Sequence, residues 1–256
     1  MKIIIAYLRF AYLLMMTFVM ILLSYLIYPF ANPRIWRSLV NRNWARLMLW
    51  GVGAKLEVNS QLNSDYIQPN TMFIQNHISW LDVLVFSSVH CASYVGKVEM
   101  LKWGFLKNII ISGGTVFIDR KNKRELILAN QKIAAVLQGG WAMGLFPEGT
   151  TSDGKTVHPF HGSIFEAAIV SNSTIVPVSV RYRNYDGSLC REVTFSKKKW
   201  MESVWNTLKM GGFVIKIDIL APVKAVDFPN RDAIASYTHK KVYDTYHSDL
   251  LDENVS

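Results

Sequence analysis

The sequence predicts an α/β fold in which a mixed central sheet has helices on both faces and is preceded by an N-terminal helix pair. Strand-like and helical segments alternate along most of the chain, which is typical of such a sheet. With 256 residues, half of them apolar and 32 of them aromatic, the chain is long enough for one substantial core. A long apolar run precedes the first strand, so we expect two parts, residues 1–52 and residues 53–256.

The first part begins with an apolar segment that is long enough to cross a membrane. Residues 10–30 are 21 consecutive positions without a charge, and a helix of about 20 such residues spans the hydrocarbon layer. A secretory signal fits less well, because the run is long and no small-x-small cleavage site follows it. We therefore expect a helix that either spans the membrane or lies within it.

Residues 34–53 mix arginines with apolar and tryptophan side chains. On a helical period they predict an apolar face with basic margins, as in a helix that lies on anionic lipid, and an ordinary core-facing helix is the alternative. The net charge of +9 favours an anionic partner, and these two segments favour a membrane over nucleic acid. More basic residues follow the apolar run than precede it, so the second part is expected on the cytoplasmic side of an inner membrane.

The second part alternates short apolar strands with helices. We predict strands at the sequences AKLEV, TMFIQN, CASYVGK, GTVFID, AMGLF, TIVPVSVRY and FVIKIDIL. Helices are predicted around residues 79–89, 100–112, 122–140 and 162–172. The segment from Arg231 to Ser256 is predicted to be a polar helix or a partly disordered tail.

One motif matches a nucleotide-binding pattern, but the residues around it do not fit. Residues 149–156 match the phosphate-loop pattern GxxxxGK[ST]. In a nucleotide-binding loop the strand leads straight into the first glycine and the lysine opens a helix. Here two residues separate the strand from that glycine, and Pro159 with Gly162 prevents a regular helix after the lysine. A nucleoside triphosphatase stays only as an alternative from a different class.

The two cysteines and the histidines do not predict a metal centre or a disulfide. Cys91 and Cys190 have no CxxC spacing and are typical of inert thiols in a reducing compartment. His158 and His161 lie close together, but no HExxH motif or Cys/His cluster completes a metal site. We therefore predict no metal.

The sequence NHISWLD, residues 76–82, places a histidine and an aspartate five positions apart. Each has an ordinary explanation, namely a satisfied core histidine and a helix N-cap. Five residues put His77 and Asp82 on different sides of a regular helix, so they can meet only if the chain turns between them. Asn76 and Ser79 permit that turn. A carboxylate that contacts the histidine would fix its tautomer and raise its basicity, as general-base catalysis requires.

Four blocks of sequence resemble, in the same order, those of the glycerolipid acyltransferases, the family that includes the 1-acylglycerol-3-phosphate acyltransferases. NHISWLD resembles the family's HxxxxD motif, and GGTVFIDR, FPEGTTSDG and IVPVSV resemble its second, third and fourth blocks. The N-terminal helix pair and the sequence YVGKVEM also look like those of the bacterial members. Each block alone is modest, whereas the four together are highly specific.

The resemblance implies acyl transfer from acyl-CoA or acyl-carrier protein to the hydroxyl of a lysolipid, without a further cofactor. His77 would act as the general base on that hydroxyl and Asp82 would orient it. Direct attack on the thioester needs no acyl-enzyme, which agrees with cysteines that have no activating neighbours.

The resemblance also implies which residues hold the acceptor. Lys97 and Arg120 would bind the anion of its head group. Three residues of the third block would shape the acceptor site and supply backbone donors for the developing oxyanion, namely Glu148, Gly149 and Thr150.

The expected acceptor is 1-acyl-sn-glycerol-3-phosphate, which would give phosphatidic acid in phospholipid biosynthesis. Two positions depart from the family pattern: many members that form phosphatidic acid have Arg in place of Thr151 and Lys or Arg in place of His161. Both changes remove a cation from a site that should hold a phosphate. Another lysolipid, such as lyso-ornithine lipid, is therefore the alternative acceptor, and a non-catalytic lipid-binding protein with this fold is an alternative from another class.

Overall fold

The structure is a computed structural model that describes residues 2–62, 69–119, 123–195 and 200–252. The strands are β1 (Ala54–Ser60), β2 (Thr71–Gln75), β3 (Ser93–Lys97), β4 (Val116–Ile118), β5 (Met143–Leu145), β6 (Thr174–Arg183), β7 (Phe213–Ile219) and β8 (Val223–Lys224). The α-helices are α1 (Lys2–Leu26), α2 (Pro33–Ile35), α3 (Arg42–Gly51), α4 (Asp82–Val89), α5 (Lys107–Ser112), α6 (Lys123–Gln138), α7 (Glu166–Val170), α8 (Trp200–Leu208) and α9 (Arg231–Asp252). A π-helix, Trp36–Asn41, joins α2 to α3.

The described strands form one mixed sheet in the order β1-β7-β6-β2-β5-β3-β4, with β8 added beside β6. All pairs are parallel except the two in which β7 and β8 meet β6. Every residue of β2 and of β6 is buried, as expected of strands that are covered on both faces. The predicted fold class is confirmed.

Adjacent residues of β6 contact helices on opposite sides of the sheet. The Tyr182 hydroxyl bonds to Asp82 of α4, whereas the Arg181 guanidinium donates to the Thr245 carbonyl oxygen of α9. Successive side chains of a strand point to opposite faces. Helices α4 and α9 therefore cover the two faces, and the carboxyl ends of β2, β3 and β5 open towards one edge of the sheet.

Some predicted elements differ in detail. We predicted a helix over residues 100–112, but residues 98–106 form two short 3₁₀ turns, Val98–Lys102 and Gly104–Leu106, and the regular helix begins only at Lys107. Gly104 has φ of +54°, a conformation that ends a right-handed helix. Helix α8 was not predicted. The predicted polar helix after Arg231 is present as α9.

Helix α1 lies against the second part of the chain. Its buried residues recur along one side, at Ala6, Leu13, Met20 and Ser24. Arg9 near its start donates to the Met210 carbonyl oxygen at 2.7 Å, and the Met16 carbonyl oxygen further along accepts from Trp44 at 3.2 Å. The helix is long and apolar enough to cross a membrane, yet only 17% of its most apolar window is buried in the protein.

The arginines of residues 34–53 make contacts within the protein that we did not predict, although Arg34 and Arg46 remain exposed as expected of basic margins. The Arg37 guanidinium lies 4.0 Å above the Trp141 ring and donates to Ser93 Oγ at 3.1 Å, while Arg46 Nε donates to the Ser88 carbonyl oxygen at 2.9 Å. A planar guanidinium stacks well on an aromatic ring, which explains this inward direction. Apolar side chains are left exposed on these helices, namely Ile35, Leu39, Leu47 and Trp50.

Candidate active site

The carboxylate of Asp82 makes the turn that brings it to His77. Its Oδ2 accepts the backbone N–H groups of Ile78 at 2.7 Å and Ser79 at 2.9 Å, and the same oxygen lies 2.7 Å from His77 Nδ1. Asp82 is the first residue of α4 and is fully buried. The five-residue spacing therefore fits a loop that folds around its own aspartate, and the predicted meeting of His77 and Asp82 is present.

The second oxygen of Asp82 is held by a tyrosine that the sequence analysis did not find. The Tyr182 hydroxyl donates to Asp82 Oδ1 at 2.5 Å, and both side chains are completely buried. Burial and the neighbouring carboxylate raise the pKa of Tyr182 well above its ordinary value, so the hydroxyl remains a donor. A signal was available, because Tyr182 follows the fourth block on the same strand face as Val178 and Val180.

The loop is also tied to the sheet and the His77 ring is fixed by stacking. The Asn76 side chain donates to the Val180 carbonyl oxygen at 2.9 Å and accepts the Val180 N–H at 2.8 Å. The His77 ring stacks on Phe146, with centroids 4.2 Å apart and planes 20° apart. A quarter of the His77 side chain is exposed. Since Nδ1 faces Asp82, Nε2 is the ring nitrogen that can reach a substrate.

Glu148 holds the backbone of the histidine. Its Oε1 accepts the His77 N–H at 2.5 Å and its Oε2 accepts the His158 N–H at 2.9 Å. Burial raises the pKa of Glu148 to about 7, against these two N–H donors, which lower it. Glu148 therefore fixes the position of His77 through the backbone, and its role in shaping the acceptor site stays a prediction.

The turn after Glu148 depends on Gly149, whose φ of +71° favours glycine. Its N–H donates to the Phe146 carbonyl oxygen at 3.2 Å, so this amide is already engaged. The His161 ring lies 3.4 Å from the position that a Cβ on Gly149 would take, which places His161 beside the turn. Thr150 is exposed next to them. The C-terminal helix supports the same loop, because the Tyr246 hydroxyl donates to the Gly154 carbonyl oxygen.

The two predicted anion-binding cations have different outcomes. Lys97 is exposed at the carboxyl end of β3, the same edge of the sheet as His77, and forms no ion pair with a described residue. Arg120 lies outside the described residues, so its role stays a prediction. No group of three or more potential metal ligands occurs in the described ranges.

An apolar cavity of about 410 Å³ lies near His77, with the Phe146 ring between His77 and the cavity wall. The Tyr94 ring on its wall stacks at 5.8 Å on Phe146, which in turn stacks on His77. Trp80 of the NHISWLD loop also lines it. The rest of the wall comes from the π-helix, α3, α4, β3, α5 and the 3₁₀ turns before α5, and includes Arg37, Asn41, Val83, Leu84, Met100 and Trp103.

The phosphate-loop interpretation has no support in the local structure. Lys155 is exposed and lies 3.9 Å from the Asp153 carboxylate. Residues 157–161 after it are not helical, and the next turn is a short 3₁₀ helix, Gly162–Phe165. A nucleotide-binding lysine would instead open a helix that points at the phosphates.

Comparisons with known proteins agree with the geometry. The family model described as Acyltransferase matches residues 55–181. The 1-acyl-sn-glycerol-3-phosphate acyltransferase of Neisseria gonorrhoeae is 29% identical over 167 residues, which cover 65% of this chain and 66% of that protein. The lyso-ornithine lipid O-acyltransferase of Brucella abortus is 28% identical over 72% of this chain and 74% of its own length.

The fold matches a solved structure over nearly its whole length. The crystal structure of the 1-acyl-sn-glycerophosphate (LPA) acyltransferase PlsC from Thermotoga maritima superposes with a TM-score of 0.71 at 17% identity, covering 96% of this chain and 97% of that one. The matched region contains the histidine–aspartate pair, the Glu148 loop and most of β6. The chain belongs to the acyltransferase family of enzymes, as the family match and these relatives show together with the His77–Asp82 geometry.

Proposed function

We propose that this enzyme transfers a fatty acyl group from acyl-CoA or acyl-carrier protein to the hydroxyl of 1-acyl-sn-glycerol-3-phosphate and so forms phosphatidic acid. The observation that carries the proposal is the His77–Asp82 pair, with Nδ1 and Oδ2 2.7 Å apart, beside an apolar cavity. Apolar walls next to a histidine base suit a substrate that combines a hydroxyl or thioester with a long acyl chain.

In the proposed reaction His77 Nε2 removes the proton from the acceptor hydroxyl as the oxygen attacks the thioester carbonyl. Asp82 keeps the ring in the tautomer with a proton on Nδ1 and stabilises the imidazolium. The carbon–sulfur bond then breaks, and the imidazolium returns its proton to the leaving thiolate. Glu148 positions His77 through the backbone. We propose no cofactor beyond the acyl donor, and no metal.

The oxyanion requires a nearby N–H donor during this reaction. Because the Gly149 amide already bonds to Phe146, we propose that the Thr150 amide on the exposed side of the turn supplies it. The acyl chain of the donor would lie in the cavity, with Tyr94 and Trp80 at the end nearest His77.

We further propose that the enzyme is attached to the cytoplasmic face of an inner membrane, by α1 lying in one leaflet. One side of α1 packs on the protein while the other exposes large apolar side chains, among them Leu14, Phe18 and Leu22. A helix that contacts its own domain along its whole length cannot also be surrounded by lipid across the bilayer. Deleting residues 1–52 should leave weak or no recovery with membranes; recovery at the full-length level would contradict the attachment.

The acceptor is tested with a panel of lysolipids, using acyl-CoA and acyl-carrier protein as donors in parallel. We expect thioester consumption with lysophosphatidic acid, and far slower consumption by the His77→Ala enzyme. Arg120→Ala should raise the KM for lysophosphatidic acid steeply, because a phosphate monoester needs paired cations. Unchanged KM in Arg120→Ala would contradict the proposed acceptor.

Lyso-ornithine lipid is the second candidate acceptor, because the positions of two family cations are occupied by Thr151 and His161. The His161 ring lies beside Gly149, within the loop that follows Glu148. Relatives named lyso-ornithine lipid O-acyltransferase, such as that of Brucella abortus, are also similar to this chain. If the wild type turns over lyso-ornithine lipid far faster than lysophosphatidic acid, this candidate replaces the first. Thr151→Arg should then shift the preference back towards the phosphate.

A further inference from the structure

The connection between β3 and α5 exposes a band of large apolar side chains. We call residues 98–106 the 98–106 segment. Phe105 is 72% exposed and Trp103 is 53% exposed, and three more apolar residues of the segment are exposed, namely Val98, Leu101 and Leu106. A contiguous apolar patch of this kind on a protein surface marks a binding site, because water contact with it is unfavourable.

Lysines flank and interrupt this apolar band. Lys97, Lys102 and Lys107 lie before, within and after the 98–106 segment, and none forms an ion pair with a described residue. Aromatic side chains with neighbouring lysines are the composition of protein surfaces that sit at the level of lipid head groups. With Glu99 counted, the three lysines leave a net positive charge, which fits an anionic lipid surface, and the rings fit its acyl boundary.

The apolar band continues onto α1. The Phe105 ring meets the Tyr25 ring edge to face, with centroids 6.3 Å apart. Tyr25 is 40% exposed and belongs to the outward side of α1, together with Phe18 and Leu22. The 98–106 segment and α1 therefore present one joined apolar surface.

The 98–106 segment also borders the cavity from its other side. Met100 and Trp103 line the cavity, and Ile109 and Ile110 just after the segment line it too. The 98–106 segment therefore lies between the apolar cavity and the exposed apolar band. A segment with apolar contacts on both sides suits a position between a lipid phase and a chain-binding cavity.

We propose that the 98–106 segment inserts into the bilayer as a second anchor and forms the lipid-side entrance of the cavity. The inference rests on the membrane attachment proposed above and adds to it a contact outside residues 1–52. The acyl chain of the donor, which occupies the cavity, enters it from the leaflet past Trp103, without crossing water. An acidic carrier protein would also match the lysines, but the continuity with α1 favours lipid, since α1 offers no basic residue between Phe10 and Leu26.

The first experiment measures the depth of position 105 in the bilayer. The full-length chain carries Cys91→Ala and Cys190→Ala, and Phe105→Cys is labelled with an environment-sensitive fluorophore. With vesicles of phosphatidylglycerol and phosphatidylcholine we expect a blue-shifted emission and quenching by lipids brominated on the acyl chain. The matched control is Val226→Cys, because Val226 is 66% exposed at the opposite edge of the sheet, next to β8.

Sedimentation with the vesicles in the same samples separates the possible outcomes. If the protein sediments and the label at 105 stays in water like the label at 226, α1 alone binds and the inference is wrong. If the protein does not sediment, the membrane attachment itself is wrong and the inference falls with it. If only acyl-carrier protein shifts the emission at 105, the surface binds a carrier and the inference is also wrong.

The second experiment measures affinity without a label. Phe105→Ser should lower vesicle partitioning about tenfold, because a buried phenylalanine ring is lost, whereas Phe105→Trp should keep it. Val226→Ser serves as the control and should leave partitioning unchanged. Equal partitioning of Phe105→Ser and wild type would overturn the inference, provided that both have the same circular dichroism spectrum.

Discussion

The NHISWLD loop and the wall of the apolar cavity lie side by side but are built differently. In the loop, Asp82 accepts four hydrogen bonds and both ends of the Asn76 amide are bonded. On the cavity side, buried polar atoms of described residues have no hydrogen-bond partner in the protein, including Asn41 Oδ1 and Arg37 Nε. The polar groups that surround Asp82 are therefore paired and those of the wall are not, and the one loop side chain that lines the cavity, Trp80, also has an unpaired Nε1.

The difference indicates what each region is for. A buried network in which every group is paired holds one geometry, and loss of a single partner is costly. A wall of apolar side chains and unpaired polar groups does not hold a substrate in one arrangement. It therefore suits a flexible acyl chain of variable length. Changes in the loop should therefore reduce turnover, whereas changes in the wall should alter which substrate is used.

The largest effect is expected for His77→Ala. Loss of the base should lower kcat about 10²–10⁴-fold while the protein still folds and binds membranes. Steady-state kinetics with a thioester donor measures the loss, and circular dichroism checks the fold. His247→Ala on α9, whose ring stacks on Tyr243, is the control and should retain activity. If the kcat of His77→Ala is within a few-fold of the wild-type value, the proposed mechanism is wrong.

A change in the cavity wall should alter donor preference instead of turnover. Val83 is 38% exposed and lines the cavity, so Val83→Trp fills space without disturbing the buried core. Each buried CH₂ group contributes about 0.8 kcal/mol, so excluding two of them should shift the kcat/KM ratio of long to short donors by about tenfold. The readout is kcat/KM across a series of acyl chain lengths. An equal loss for every chain length would assign the cavity no part in donor binding.

A smaller effect on turnover is expected for Tyr182→Phe. Asp82 would keep three of its four donors, and one hydrogen bond to a charged group contributes about 1.5–3 kcal/mol, so loss of that energy from the transition state should lower kcat by about 10- to 150-fold. The KM of the lysolipid should not change, because Tyr182 is buried away from substrate. Tyr243→Phe on α9 is the control. If KM rises while kcat is retained, Tyr182 does not act through the His77–Asp82 pair.

The last prediction concerns Glu148 and is measured as the free energy of unfolding at different pH values. Its pKa is raised to about 7 from an ordinary value of 4.5, so ionisation costs the folded state more than the unfolded state. Any stability advantage is complete below about pH 4.5 and is lost as the pH rises towards 7, by about 3 kcal/mol in total. Denaturant unfolding of the wild type should therefore show this loss relative to Glu148→Gln. Parallel curves for the two proteins would contradict the raised pKa.

The main elements of the sheet and one half of the site follow from local sequence. The strands are continuous apolar runs and α6 has a clear helical period, so their positions could be predicted. The meeting of His77 and Asp82 could also be predicted, since it needs only a turn within seven residues. These features depend on contacts close in the chain.

The rest depends on contacts between residues far apart, which no local pattern encodes. Tyr182 is 100 residues from Asp82, and only the pairing of β6 with β2 brings them together. The direction of Arg37 depends on Trp141 of the second part, so a helical period alone favoured lipid as its surroundings. Helix α8 was missed because its buried side mixes polar and apolar residues, namely Ser203, Val204, Thr207 and Leu208, so the sequence shows no clear apolar period.

The family match ends at Arg181, one residue before the tyrosine that donates to the Asp82 carboxylate. A fragment cut at that boundary would retain all four sequence blocks and lose the Tyr182 hydroxyl. It would also lose Tyr246, which supports the third block from α9. The matched stretch is therefore not an exchangeable module: transplanting residues 55–181 into another acyltransferase would succeed only where the recipient supplies an equivalent hydroxyl on the next residue of β6.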